Sequence, residues 1–283
     1  YECLLIVGED GTLQPGQAES YEVSEDGLTW TFHLRDGLKW SDGSDLTAND
    51  FVYSWKRVCN PEVAAPYAET VLGMVKGYDE AIDGNLDALG VSAPDDSTLV
   101  VELANPCSYF GSLAAFATLS PVQEATIEAN GEAWATAPET YVSNGPFYMT
   151  EWVPGSHITF SKNPYYWNAD AIKLDRLKFV LMEDSNAAYS AYQTGEVLMI
   201  KDVPTEEIPS LTGTDDFYVD PIIGTYYISL NIQKAPFDDV NVRKALSLAI
   251  DREYVASTLM QGTYTAAGNF MGPGWMDTDG TEF

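Results

Sequence analysis

The run at residues 28–34 most constrains the fold: Leu28, Trp30, Phe32 and Leu34 alternate with polar neighbours. A period of two puts all four large apolar groups on one face, so the segment is a strand with one buried side. Glu25-Asp26-Gly27 supplies a turn before it and Ser41-Asp42-Gly43 another after it. Upstream, Gly8-Glu9-Asp10-Gly11 separates Leu4-Leu5-Ile6-Val7 from the next segment, predicting a hairpin. The chain therefore opens with antiparallel sheet.

Helical punctuation follows. Thr47 with Asp50 three residues on reads as a capping box, Phe51, Trp55 and Val58 share one face, and Asn60-Pro61 stops the helix. Ser120-Pro121-Val122-Gln123 predicts a second capped start, ending near Asn130-Gly131. A short helix is expected from Ser185 to Gly195. Asp238 or Asp239 caps another that carries Val242, Ala245, Leu246, Ala249 and Ile250, and Asp251 starts a last one running towards Gly262. Alternation predicts further strands around Leu99, Val101 and Leu103, around Ile158 and Phe160, and around Leu177, Phe179 and Leu181. In residues 226–231, Tyr226, Ile228 and Leu230 form the expected buried face, opposite Tyr227, Ser229 and Asn231. Strands and helices without a strict alternating beat predict an α/β chain of mixed α+β elements.

Charge and composition exclude several functions. Among 283 residues, 43 are acidic and 14 basic, a net charge of −29 that repels nucleic-acid phosphates and anionic membranes. No apolar run approaches the roughly 20 residues of a membrane span. Three cysteines, Cys3, Cys59 and Cys107, form no C-x-x-C pair. The odd count leaves open one disulfide with a free thiol, or three buried thiols. The opening Tyr1-Glu2-Cys3-Leu4-Leu5 has no initiating Met and no signal-peptide pattern, and the polar close at residues 277–283 adds no element, so residues are expected beyond both ends.

The catalytic inventory is thin. His33 and His157 are the only histidines, and neither belongs to an H-E-x-x-H pair. No G-x-S-x-G, P-loop or G-x-G-x-x-G is present. In Gly272-Pro273-Gly274 the proline has no N–H for a phosphate. Asp277, Asp279 and Gly280 match part of a calcium loop, but Trp275 falls at its first ligand position. A glycosidase carboxylate pair stays open only because carboxylates are so numerous. No cofactor and no metal are expected.

Several stretches together resemble the peptide- and nickel-binding receptors that feed ABC importers. They are residues 18–43, residues 46–55, Asn144-Gly145-Pro146-Phe147, Lys162-Asn163-Pro164-Tyr165-Tyr166-Trp167 and residues 231–246. They occur in the family's order along the whole chain. The resemblance implies a bilobal periplasmic-binding-protein-like fold with an inserted extra domain. Residues 1–14 and 143–223 would form the first lobe, 15–142 the inserted domain, and 224–283 the start of a truncated second lobe. It implies capture of an oligopeptide between lobes, delivery to permease subunits, and no reaction. The location would be extracytoplasmic, with the chain lipid-anchored through an upstream cysteine or periplasmic.

By the same resemblance, Glu2, Cys3 and Leu4 are a strand edge beside the ligand, Tyr67 and Phe116 wall positions, and Tyr226 and Tyr227 hinge tyrosines. Lys201 or Asp202 is expected to face ligand. The family usually has glycine where Cys3 stands and aspartate where Leu198 stands. Residues 224–237 look closest to the oligopeptide branch; a receptor of the same fold for oligosaccharide, dipeptide or nickel is the alternative. A secreted hydrolase is the rival from another class.

Overall fold

The computed structural model describes residues 1–220, 222, 224–271, 276 and 281. By packing, the chain divides into two compact units, Tyr1–Leu181 and Met182–Phe283. The glycine-rich stretch 272–274 and the partial calcium pattern at 277–280 lie outside the described residues.

The first unit begins with the expected hairpin, β1 (Leu5–Val7) against β2 (Leu13–Pro15), with Ile6 opposite Gln14. Strands β3 (Ala18–Val23), β4 (Thr29–Leu34), β5 (Val91–Asp95) and β6 (Thr98–Glu102) form an antiparallel sheet in the order β3-β4-β6-β5. In β4 the alternation works as read: Trp30, Phe32 and Leu34 are buried. Trp30 and Phe32 sit opposite Val101 and Leu99 of β6, which are also buried.

Helix α1 (Ala48–Cys59) starts where Thr47 predicts, its N–H donating to Asp50 Oδ2 at 2.7 Å. Phe51 and Trp55, each fully buried, face the sheet, and Phe110 stacks edge-on against both Trp55 and Trp30. Burying one such aromatic side chain stabilises by about 1.5–3 kcal/mol. Short helices α2 (Ala68–Leu72), α3 (Tyr78–Ile82) and α4 (Phe110–Leu113) complete this layer.

The capped start expected at Ser120 does not form. Helix α5 runs Glu124–Asn130, and residues 120–123 are not helical, with extended backbone at Ser120 and Gln123. The cause is tertiary. Ser54 Oγ takes the Val122 N–H at 2.7 Å, and Trp55 Nε1 donates to Leu119 O at 3.1 Å. These bonds tie the segment to α1 in a non-helical course. The expected end at Asn130-Gly131 is where α5 stops.

A three-stranded antiparallel sheet follows, β7 (Phe147–Val153), β8 (His157–Lys162) and β9 (Arg176–Val180). Strands β8 and β9 fall where alternation put them, whereas β7 was not read from the sequence; Thr159 is the buried residue of β8, and Phe179 in β9 is exposed.

In the second unit, α6 (Ser185–Gln193) is capped by Asp184, whose carboxylate accepts the Ala187 N–H. A short helix, α7 (Ile208–Leu211), follows. Asp239 rather than Asp238 caps α8 (Val240–Ala249), and Asp251 caps α9 (Arg252–Tyr254), which runs on as a wider turn to Leu259. The buried face expected at residues 226–231 is not there. These residues form no ladder, and Tyr226 and Ile228 are 91% and 70% exposed. An extended segment buries a face only when a paired sheet packs on another layer.

Candidate functional site

The first segment is held at Glu2. Asn144 Oδ1 accepts the Glu2 N–H at 2.9 Å, while Asn144 Nδ2 donates to Glu2 O at 2.9 Å. The buried Glu2 carboxylate accepts from Gln17 Nε2 at 2.5 Å, from Trp167 Nε1 at 2.6 Å and from the Tyr166 hydroxyl. Burial, and then the hydrogen bond to Glu2, push the Tyr166 phenol well above its ordinary value. Among the described residues no Lys or Arg forms an ion pair with Glu2. The nearby cation, Arg35, lies over the Trp167 ring at 3.6 Å instead. Asn163 closes the arrangement, its Nδ2 donating to Gly145 O at 2.9 Å. Two stretches singled out in the sequence, around Asn144 and around Tyr166-Trp167, thus meet on one residue.

The main-chain carbonyls beside Glu2 are also occupied. Cys3 O accepts the Gln17 N–H at 3.0 Å, and Leu4 O accepts from Gly16 and Ala18. The Leu4 side chain is fully buried. Of the three residues expected to form a ligand edge, Cys3 leaves a side chain at an opening. Its Sγ donates to Phe116 O at 3.3 Å and lies 3.2 Å from Ser120 Oγ. Burial pushes this thiol up from its ordinary value, so it is held protonated.

Beside it is a recess of about 370 Å³ lined by Glu2, Cys3, Ala115, Ala117, Ser120 and Tyr166 among others. The Phe116 ring, whose own carbonyl receives the Cys3 thiol, packs on Tyr67 with centroids 5.4 Å apart. Tyr67 is 50% and Phe116 40% exposed. Two large rings packed together at the surface keep an apolar face in water, which is how aromatic side chains grip ligands. A larger hollow of about 520 Å³ at the β1–β2 turn, lined by Val7, Gly8, Glu9, Asp10 and Gln14, gathers no comparable set.

The structure therefore brings Glu2, Cys3, Phe116 and Tyr67 into one connected group. Ser120 and Tyr166 belong to the recess but were not singled out as site residues. Tyr166 lay inside a recognised stretch, and Ser120 was hidden by its reading as a helix cap. The other four expected site residues lie in the second unit. Lys201 and Asp202 are exposed, as are Tyr226 and Tyr227, and the Tyr227 ring sits 5.0 Å from that of Phe270. Of the histidines, His157 Nε2 lies 3.0 Å from Glu151 Oε2, and its Nδ1 lies 2.9 Å from Ser156 Oγ. Among the described residues no three His, Cys, Asp or Glu side chains gather as a metal site, and no helix is long and apolar enough to cross a membrane.

A family model described as bacterial extracellular solute-binding proteins, family 5, matches residues 12–282. The chain belongs to that family, a class of binding proteins with mixed helices and sheets. Among its relatives is the oligopeptide-binding protein OppA of Bacillus subtilis, 39% identical over 268 residues, covering 93% of this chain and 49% of the relative. Haemophilus influenzae OppA, solved in complex with the peptide RPPGFSPFR, superposes with a TM-score of 0.85 at 38% identity, covering 92% of this chain and 52% of that one. Listeria monocytogenes OppA bound to peptide superposes at 0.89 with 30% identity, covering 99% and 57%. The chain spans about half the length of the curated relatives it matches. Its relatives are binding proteins of the periplasm or cell exterior, and its fold is that of periplasmic-binding-protein-like receptors.

Proposed function

We propose that this chain belongs to the substrate-binding receptor of an ABC importer, which captures oligopeptides and delivers them to the permease without making or breaking a bond. The observation that carries the reading is the exposed pair Tyr67 and Phe116, tied through Phe116 O to Cys3 beside the recess. Rings of this kind hold a peptide by apolar contact while leaving its sequence free to vary. Binding further requires pairing the peptide's N–H and C=O groups, since burying them unpaired is costly. Lys201, Asp202, Tyr226 and Tyr227 are proposed as further ligand contacts on the strength of the resemblance.

The same reading assigns residues 1–14 with 143–223 to one lobe, 15–142 to an inserted domain and the chain from 224 to a second lobe. It places the protein outside the cytoplasmic membrane, lipid-anchored through a cysteine ahead of Tyr1 or free in the periplasm.

Mass spectrometry of ligand released from the denatured full-length protein tests the proposal. Peptides of mixed sequence are the expected result. A single sugar, a dipeptide alone or a nickel ion would assign the receptor to another ligand, and turnover of peptide or oligosaccharide substrates would make it an enzyme.

A further inference from the structure

The recess beside Cys3 has a composition of its own. Ala115 and Ala117 present small side chains, and the remaining polar contact on that side is between Cys3 Sγ and Ser120 Oγ, 3.2 Å apart. Both residues line the recess, and they reach it from chain segments 117 positions apart. Their contact therefore closes the space between the first segment and residues 115–120. The thiol is not free to move aside. It is also bonded to Phe116 O, and Cys3 is 6% exposed. On the other flank, Glu2 and Tyr166 are fixed by their bond to each other.

We infer that Cys3 and Ser120 together determine ligand specificity: the recess takes one uncharged side chain of the bound peptide, and the thiol–hydroxyl contact limits its size. This rests on the receptor reading above. Besides the two alanines the recess is lined by Tyr1, Leu5, Ile6, Val7, Pro146 and Tyr166, so a side chain entering here meets mostly apolar groups, a protonated thiol and hydroxyls. None of these offers a charge, and the one carboxylate present, Glu2, already accepts three hydrogen bonds. Size is then the property the recess can discriminate. In an apolar pocket, a change of one methylene is worth roughly tenfold or more in selection.

The test uses the full-length protein, freed of bound ligand and offered an equimolar pool of peptides of one length. Each position carries Ala, Val, Leu, Phe or Trp in turn, and the bound fraction is read by mass spectrometry. Cys3→Gly is expected to raise the bound ratio of Phe to Ala about tenfold at one peptide position, as expected for enlarging an apolar pocket. Ser120→Thr, which adds a methyl and removes nothing, is expected to shift the same position towards Ala. It decides the matter if Cys3→Gly does not fold. Ratios within about twofold of wild type at every position, in each variant that folds, would overturn the inference while leaving peptide binding intact. A wild-type protein that retains no peptide from the pool would instead overturn the receptor reading, and this inference with it.

Discussion

Asn144 holds Glu2 from both sides, accepting its N–H and donating to its C=O, each at 2.9 Å. One buried amide thus does for a single residue what a neighbouring strand would do. It leaves the Glu2 side chain to collect Gln17, Tyr166 and Trp167. Residues distant in sequence are fixed around one carboxylate, and the recess lies against it.

Asn144→Ala should leave both Glu2 backbone groups buried and unpaired. Each such group costs about 1–3 kcal/mol, so the variant should lose about 3 kcal/mol of stability. Urea unfolding with unchanged slope and a lower midpoint is the expected observation. A midpoint equal to wild type would show that the two bonds contribute nothing net.

Tyr67→Ala and Phe116→Ala should weaken peptide binding without unfolding the protein. Each removes an exposed ring, so stability should change little, whereas loss of a ligand-contacting aromatic costs about 1–2 kcal/mol, or roughly 5- to 30-fold in affinity. Because the rings touch each other, the double variant should lose less than the sum of the two single losses. Calorimetry on the full-length protein reads all three; wild-type affinity in both single variants would remove this pair from the site.

Much of the first unit was legible because its signals are local. The strand around Trp30 and Phe32 and the box at Thr47 and Asp50 lie within a few residues of what they control, as do the caps at Asp239 and Asp251 in the second unit. What failed was decided elsewhere in the chain. Ser120-Pro121-Val122-Gln123 carries a helix-start pattern, yet Ser54, more than 60 positions away, takes the Val122 N–H, and Trp55 holds the preceding Leu119 carbonyl. Tyr226 and Ile228 alternate like a strand but have no ladder partner among the described residues. The site was hidden for the same reason. Glu2, Gln17, Asn144, Tyr166 and Trp167 share no spacing rule, and only folding shows that they converge. The exposed pair Tyr67 and Phe116 was reached through family resemblance alone, since a lone aromatic in a sequence reads as core.

Asp50 gives a pH dependence with a definite sign. Burial raises its folded pKa above the ordinary 3.8, the hydrogen bonds from Thr47 oppose this, and the charge of Glu124 adds to it. The folded protein therefore holds this proton to higher pH than the unfolded chain does. Stability from this group is greatest below 3.8 and falls as pH rises through the window up to the raised value. Asp50→Asn keeps an acceptor for the Thr47 N–H and removes the titration. The difference in unfolding free energy between wild type and Asp50→Asn should change across that window and be flat above it. A constant difference from pH 3 to pH 7 would contradict the shift.

The cysteines supply a count that a sequence with three of them could not. All three are free and buried, and burial pushes the Cys59 thiol up to about 11 and raises that of Cys3. At pH 8 a thiol of pKa near 11 is ionised about one part in a thousand, and only the thiolate attacks a disulfide reagent. Native protein should therefore react slowly with Ellman's reagent. Opening the fold exposes every thiol and returns Cys3 and Cys59 to their ordinary ionisation, so in strong denaturant this chain should release three equivalents quickly. One equivalent in denaturant would reveal a disulfide between two of the three. One fast equivalent in the native protein would mean that a thiol found buried is open to solvent.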